Sequence, residues 1–265
     1  MTIKQQLEVL DAQLSERYGA YASYSNPHDP PLEFHGPSVA DEMNRLLDLY
    51  ATEDSSVLDL GCGAGFSLCR LAPKVKTIWG FDQEDVLLET ARLRARVANI
   101  KNATFVLGNN SNAADFDQLP DDAFDLGFSQ RGPNLTRNLL PKLRTNAIWV
   151  QEFAQLPPGL NELFGRVRSM FRPRWTTGGD GGIGMYMDLG LLPISVRTLF
   201  YEQFFSDIDQ FDAFMGRYWC LINNDYNAEE DRAALDLYCR YNTTPKGIRL
   251  THFRTLGVYR RVQSE

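Results

Sequence analysis

From residue 55 onward, short apolar runs alternate with segments in which apolar residues recur every three or four positions. This alternation predicts βαβ units, in which parallel strands are joined by crossover helices. Because such crossovers are right-handed, they place helices on both faces of the sheet. The runs predicted as strands are residues 57–60, 77–81, 104–107, 124–129 and 147–153, and the predicted helices between them are residues 66–71, 84–97 and 135–143.

Before this region, the pattern predicts two helices separated by a loop. Apolar residues between Ile3 and Tyr18 recur at three- and four-residue steps, which indicates an amphipathic helix. Four prolines among residues 25–38 exclude a regular helix there, so we predict a loop. Ser38 and Asp41 then form the capping pattern Ser-x-x-Asp, which predicts the start of a second helix.

The last third of the chain begins with a segment of different texture. Residues 157–192 contain a glycine-rich run at 176–184 and hold too few apolar residues for a core of their own, so we interpret them as an insertion. After it the pattern predicts a strand, two helices and a last strand that can lie beside the first and close the sheet. These four elements are predicted at residues 196–205, 207–222, 228–240 and 248–260.

Composition and charge narrow the classes of protein. The chain has 265 residues, of which 43% are hydrophobic and 23% are charged, as in soluble globular proteins. Its 27 basic and 34 acidic residues give a net charge of −7, which weighs against a general nucleic-acid binder. The four cysteines form no CxxC pair, so their spacing predicts no zinc site. Because no signal-peptide pattern and no run of about 18 apolar residues is present, we expect a cytoplasmic protein without a membrane segment.

The segment VLDLGCGAGFS combines a buried strand, three glycines and the start of a helix. Gly61, Gly63 and Gly65 allow the backbone to turn tightly and to approach a ligand where a side chain would collide. A dinucleotide fingerprint would have its third glycine at the position of Phe66. Asp59, two residues before the first glycine, would repel a pyrophosphate and attract a ligand that carries an ammonium or sulfonium group.

The residues DLGCGAG at 59–65 resemble the first motif of the class I S-adenosylmethionine-dependent methyltransferases. The resemblance continues in order, with GFD at 80–82 at the end of the second predicted strand and LP…FDL at 119–126 leading into the fourth. Motifs cover about residues 38–155, and residues 190–262 follow the closing pattern of the family. The resemblance implies a methyltransferase with S-adenosyl-L-methionine as its cofactor.

On this basis we predict a single methyltransferase domain over residues 1–265, of the α/β class. Its sheet is expected to be doubly wound, mostly parallel and seven-stranded, with helices on both faces and an antiparallel last strand. We divide it into an N-terminal helical lid at 1–37, a cofactor-binding core at 38–155, an insertion at 156–192, and C-terminal strands and helices at 193–265 that complete the sheet.

The resemblance also implies which residues hold the cofactor. Asp82, at the end of a strand, would accept hydrogen bonds from both ribose hydroxyls, and Asp59 would hold the methionine part. Where family members carry an acid for the adenine amino group, this chain has Asn109 and Asn110, and Asp115 is an alternative contact. The complete set of implied cofactor contacts is Asp59, Gly61, Cys62, Gly63, Asp82, Gln83, Asn109, Asn110, Ser129 and Gln130.

The methyl-accepting side of the site is marked by fewer motifs. After the fourth predicted strand, SQRGP stands where DNA adenine methyltransferases carry their Pro-Pro motif, and no cysteine follows that could serve the C5 methyltransferases as nucleophile. We therefore expect transfer by proximity to an oxygen, nitrogen or carbon atom of a small molecule, without a metal. The candidate catalytic residues are His35, Glu152 and Tyr24.

Two alternatives remain open. Four arginines, at positions 166, 168, 172 and 174, would suit a surface that docks an RNA or protein acceptor, although the net charge makes nucleic acid the less favoured partner. The chain would also suit a protein that binds S-adenosylmethionine without turnover, because no motif identifies a catalytic base.

Overall fold

The computed structural model of the protein describes residues 2–18, 29–155, 183–222, 227 and 229–262. The helices are α1 (Ile3–Tyr18), α2 (Val39–Tyr50), α3 (Phe66–Leu71), α4 (Asp85–Val97), α5 (Ile183–Met187), α6 (Ile208–Ile222) and α7 (Arg232–Asn242). The strands are β1 (Glu33–Phe34), β2 (Ser56–Leu60), β3 (Thr77–Asp82), β4 (Ala103–Leu107), β5 (Phe124–Ser129), β6 (Leu143–Gln155), β7 (Leu191–Phe205), β8 (Thr243–Thr244) and β9 (Gly247–Arg261). Short 3-10 helices span Ala72–Lys74, Ala113–Gln118 and Arg137–Lys142.

The strands form one sheet in the order β1-β7-β9-β6-β5-β2-β3-β4, and β8 pairs with β9. Strands β2 to β6 are parallel, whereas β9 is antiparallel to both β6 and β7. Since β1 and β8 have only two residues each, seven strands carry the sheet. The predicted seven-stranded, mostly parallel sheet with an antiparallel last strand is confirmed.

The chain order of the strands reverses between β2 and β5. From β2, the chain builds outward through β3 and β4 on one side and then returns to add β5 and β6 on the other. In open α/β sheets, the carboxyl ends of the strands at such a reversal leave a crevice where ligands bind. The fold therefore predicts a site above β2, β3 and β5.

Each face of the sheet carries its own hydrophobic core. On one face, Met43 and Leu47 of α2 and Leu68 of α3 pack against strand residues that include Val57 and Val150. On the other face, the strands pack against the segments after β4 and β5 and against α5. Neighbouring strand residues alternate between the two cores, as the period of two in a strand requires. The prediction of helical segments on both faces is thus confirmed.

The two helices predicted in the N-terminal part are present, and the second starts at the predicted cap. The Ser38 hydroxyl accepts a hydrogen bond from the Asp41 amide (3.1 Å) and caps α2. Helix α1 packs against α4, and Asp11 pairs with Arg94 (2.6 Å). The predicted lid also includes residues 19–28, which lie outside the described residues, as does most of the glycine-rich run at 176–184.

Two predicted elements differ from the structure. The helix predicted at 135–143 is a 3-10 helix, Arg137–Lys142, since Pro141 cannot donate an amide hydrogen bond to a continuing α-helix. The loop predicted at 25–37 contains the short strand β1, because Glu33 and Phe34 pair with β7. That pairing joins residues far apart in the sequence, and no local pattern indicates it.

Strands β7 and β9 extend past the end of β6 and form an arm. Within the described residues, which end at 155 on this strand, β6 pairs with β9 as far as Phe253, whereas β7 remains paired with β9 to Ile248. Helices α6 and α7 pack against this arm through a third core, which includes Phe211 and Tyr238. The arm therefore lies at the edge of the sheet where the parallel strands have their carboxyl ends.

Candidate functional site

A cavity of about 580 Å³ lies at the carboxyl ends of β2, β3, β4 and β5. Its position is the one that the reversal of strand order predicts. The lining residues come from the ends of β2 and β3, from the glycine loop and the start of α3, from the start of α4, and from the turns after β3, β4 and β5. They are Asp59, Gly61, Cys62, Gly63, Ala64, Phe66, Ser67, Phe81, Asp82, Gln83, Leu87, Gly108, Asn109, Asn110, Ser111, Gln130, Arg131, Gly132 and Pro133.

The glycines after β2 are needed for two different reasons. All three have positive φ angles: +77° at Gly61, +51° at Gly63 and +78° at Gly65. A Cβ atom at Gly61 would lie 2.7 Å from the Cδ atom of Pro133, and one at Gly65 would lie 2.8 Å from the Cβ atom of Ala91. At Gly63 no atom stands within 4 Å of that position, so this glycine is required by its backbone angle alone. The space beside Gly63 is left open on the cavity side.

Asp82 fixes the glycine loop to the end of β3. Its carboxylate accepts hydrogen bonds from the amides of Gly63 (2.7 Å) and Glu84 (3.0 Å). Burial raises the pKa of this carboxyl, and the two amide hydrogen bonds oppose that rise. A carboxylate offers about four acceptor positions, so Asp82 can bind further donors from a ligand while it holds the loop.

Asp59 is the buried acid at the centre of the site. It is 2% exposed, and no hydrogen bond to its carboxyl is found within the described ranges. Burial, and secondarily the charge of Asp82, raise the pKa of Asp59 well above its usual value. A cationic group placed against Asp59 would compensate the buried charge, so the site favours a positively charged ligand.

Asn110 lines the cavity and carries a buried acceptor atom that the rest of the described protein does not use. Its Nδ2 donates to the carbonyl of Asn134 (3.3 Å), and its Oδ1 is buried without a hydrogen-bond partner in this part of the chain. Asp115, the alternative contact, instead accepts from the Asn109 amide (2.7 Å) and from Asn112 (2.8 Å) and does not line the cavity. The structure therefore presents Asn110, rather than Asp115, to a ligand.

The turn after β5 closes the site opposite Asp82. Ser129 is fully buried, and its hydroxyl donates to the carbonyl of Pro133 (2.8 Å), so this residue shapes the turn and does not line the cavity. Gln130 lines the cavity and accepts a hydrogen bond from Ser67 (2.7 Å). A Cβ atom at Gly132 would lie 2.6 Å from the carbonyl oxygen of Leu60, so the turn and the glycine loop pack backbone against backbone.

Two of the proposed catalytic residues, His35 and Glu152, do not line the cavity. His35 bonds to Glu202 (2.9 Å) and stacks on Phe200 at the outer strands β1 and β7, about 20 Å from β5 if strands are about 4.8 Å apart. Glu152 is buried on β6 and pairs with Arg254 at 3.3 Å. Tyr24 lies outside the described residues.

Sequence reasoning missed several residues of the site. Phe66 and Ser67 follow the glycine motif directly, and their position could have indicated them. Arg94 has no such signal, because it lies on α4, yet its Nε donates to the carbonyl of Ala64 (2.9 Å) and its guanidinium lies 3.6 Å from the centre of the Phe66 ring. Arg94 thus contacts two residues that line the cavity, and it also binds Asp11 of α1.

The chain is similar to known methyltransferases. Residues 51–164 match the model of a protein family described as a methyltransferase domain. A protein-L-isoaspartate O-methyltransferase of Saccharophagus degradans is 27% identical over 154 residues, which are 58% of this chain and 64% of that protein. The 23S rRNA (uracil(1939)-C(5))-methyltransferase RlmD of Aliivibrio fischeri is 34% identical over 113 residues, which are 42% of this chain and 23% of that protein. The matches thus span less than two thirds of the length of either curated relative.

The likeness extends to solved structures. A candidate methyltransferase from Bacillus halodurans C-125 is 15% identical and superimposes with a TM-score of 0.58, covering 84% of this chain and 99% of its own. At this level of identity the likeness shows the fold, an α/β sheet of the Rossmann-like kind. Together with the family match, it confirms the resemblance to class I methyltransferases.

The described residues show neither a cluster of metal-binding side chains nor a membrane-spanning helix. They contain no group of three or more His, Cys, Asp or Glu side chains arranged to hold a metal ion. None of their helices is both long and apolar enough to cross a membrane.

Proposed function

We propose that this protein is an S-adenosylmethionine-dependent methyltransferase that transfers a methyl group to an oxygen, nitrogen or carbon atom of a small molecule. The observation that carries the proposal is the cavity above β2, β3 and β5, which combines the buried acid Asp59, the glycine loop and Asp82. These groups occupy the cavity that the strand reversal creates, and their chemistry suits a cationic nucleoside.

The residues present fit S-adenosylmethionine group by group. Asp59 supplies a negative charge, without a hydrogen bond from the described protein, for the cationic methionine part. Asp82 has acceptor capacity left for the ribose hydroxyls, and the buried Oδ1 of Asn110 can accept from the adenine amino group. A pyrophosphate near the glycine loop would meet the carboxylate of Asp59, so a dinucleotide fits poorly.

S-adenosylmethionine, when bound, supplies an electrophilic methyl group on a sulfonium. The protein's own residues then have to bind, orient and exclude water, and such alignment alone can supply a large part of the rate enhancement. Within the described lining, Cys62 is the only thiol, and burial raises its pKa, which keeps it protonated and weakly nucleophilic. Glu152 is held by Arg254. Transfer therefore proceeds by proximity, with an acceptor that is already nucleophilic.

A small molecule is the acceptor that the site favours. The net charge of −7 disfavours an RNA backbone, and C5 methylation of uracil needs a reactive cysteine that Cys62 does not provide. An RNA or protein acceptor is the competing proposal, since the two curated relatives are named for such substrates.

Methyl transfer from cofactor labelled in the methyl group tests the proposal. The protein is incubated separately with small-molecule, RNA and protein fractions, and Asp82→Ala serves as the control that lacks the ribose contact. We expect label only in the small-molecule fraction and little with the variant. Label in RNA or protein would favour the competing proposal. Binding of the cofactor with no transfer to any fraction would indicate a binding protein without turnover.

A further inference from the structure

Arg131 adopts a left-handed backbone conformation, which is energetically unfavourable for a residue with a long side chain. Its φ angle is +55°, in the left-handed region, where a long side chain is uncommon. The next residue, Gly132, must be glycine, because a Cβ atom would lie 2.6 Å from the carbonyl oxygen of Leu60. At position 131, glycine or asparagine would adopt this conformation with less strain. Strained residues of this kind concentrate at functional sites.

The Arg131 side chain also has a distinctive place in the cavity. It is exposed, lies on the turn after β5, and is the only basic residue among the described residues that line the cavity. The two acids of the lining, Asp59 and Asp82, lie at the ends of β2 and β3. The site therefore has the two acids at the ends of β2 and β3 and a basic residue on the turn after β5.

We propose that Arg131 binds an anionic group of the methyl acceptor, a carboxylate or a phosphate, and so restricts methyl transfer to anionic small molecules. This inference rests on the proposed function. A guanidinium beside a cationic methyl donor is repelled by it, and an anion placed between them is attracted by both. The planar fork of arginine matches a carboxylate or phosphate with two parallel hydrogen bonds.

The first test sorts acceptors by charge. A small-molecule extract is separated on an anion exchanger at pH 7, and the bound and unbound fractions are each incubated with the protein and cofactor labelled in the methyl group. We expect label in the bound fraction. Label confined to the unbound fraction, or in neither fraction while S-adenosylhomocysteine still binds, overturns the anionic acceptor and leaves the cofactor site standing. Failure to bind S-adenosylhomocysteine would instead overturn the proposed function.

The second test uses the acceptor purified from that fraction. Arg131→Gln and Arg131→Gly should each raise its KM by roughly 10- to 100-fold while the affinity for S-adenosylhomocysteine changes less than about twofold. Arg131→Lys, which keeps the charge without the fork, should fall between these variants and the wild type. An unchanged KM in Arg131→Gln would overturn the proposal.

A matched variant separates this role from backbone strain. Arg131→Gly relieves the left-handed conformation and should raise the Tm by about 2–4 °C although it weakens acceptor binding. Asp122 also has a positive φ angle, +46°, and lies outside the cavity lining. Asp122→Gly should therefore leave KM unchanged. If Arg131→Gly left KM unchanged as well, the arginine would have no part in acceptor binding.

Discussion

The two buried acids of the site should respond in opposite ways to neutralisation in the free protein. Asp82 accepts two amide hydrogen bonds, whereas none to Asp59 is found within the described ranges. Asp59→Asn removes a buried charge without breaking a protein contact, so it should stabilise the free protein. Asp82→Asn places an amide group against two N–H donors, so it should destabilise the protein.

The expected magnitudes follow from these contacts. Leaving a buried polar group unsatisfied costs about 1–3 kcal/mol, and more when it is charged. The asparagine side chain in Asp59→Asn is still a buried polar group, so part of that cost remains. We therefore expect the free energy of unfolding to rise by about 1 kcal/mol, which corresponds to about 2–4 °C in Tm. Asp82→Asn loses at least one charge-assisted hydrogen bond, which costs about 1.5–3 kcal/mol of stability. Removal of the buried charge offsets part of this loss. A net loss of about 1–2 kcal/mol is expected.

The pH dependence provides an internal check. Because the pKa of Asp59 is raised in the folded state, this state binds the proton more tightly than the unfolded chain does. The free energy of unfolding therefore falls as the pH rises from the pKa of Asp59 in the unfolded chain, about 3.9, to its raised pKa in the folded protein. The difference in stability between Asp59→Asn and the wild type should grow with pH in that window and disappear at lower pH.

Thermal unfolding of the free protein and calorimetry with S-adenosylhomocysteine measure both effects. Each variant should bind the ligand more weakly, and loss of the cationic contact of Asp59 should cost about 1.5–3 kcal/mol, roughly 10-fold to more than 100-fold in Kd. If Asp59→Asn lowered the Tm as much as Asp82→Asn does, Asp59 would be a structural acid with a partner in the fold, and the reasoning would be refuted.

Two further variants test the adenine contact and the glycine loop. Asn110→Ala should weaken S-adenosylhomocysteine binding by about 0.5–1.5 kcal/mol, less than Asp82→Ala, which removes charge-assisted bonds; equal losses in calorimetry would place the ribose elsewhere. Gly65→Ala should lower the free energy of unfolding by about 1–3 kcal/mol more than Gly190→Ala does, as measured by denaturant titration. Both glycines have a φ angle of +78°, but only at Gly65 would the added Cβ lie within 3 Å of another atom, the Cβ of Ala91. An equal loss would show that the contact with α4 is not restrictive.

Local sequence signals predict the part of the site that local structure builds. Helix α3 spans the residues predicted for it, since the glycine turn and the apolar positions after it lie in one continuous segment. Asp59 and Asp82 line the cavity because each lies near the end of a strand at the reversal of strand order. The acceptor atom of Asn110 is a different case, because its burial depends on packing against the turn that contains Asn134.

Contacts between distant segments account for the elements that the sequence does not predict. The arm depends on a core in which Phe205 packs with Leu235 and Leu250, and periodicity within each segment cannot report that association. His35 is a plausible base by residue type, but the pairing of Glu33 with Glu202 places it at the far edge of the sheet. The same limit applies to Arg131, whose backbone angle is visible only in the structure.

The central claim, a site for S-adenosylmethionine above β2, β3 and β5, is tested most directly by calorimetric titration of the protein with S-adenosylhomocysteine and with NAD. We predict saturable binding of S-adenosylhomocysteine with one site per chain, and an increase in stability of about 2.7 kcal/mol at a hundredfold excess over Kd. NAD should not bind. Binding of NAD in the same cavity, with no response to S-adenosylhomocysteine or S-adenosylmethionine, would contradict the account.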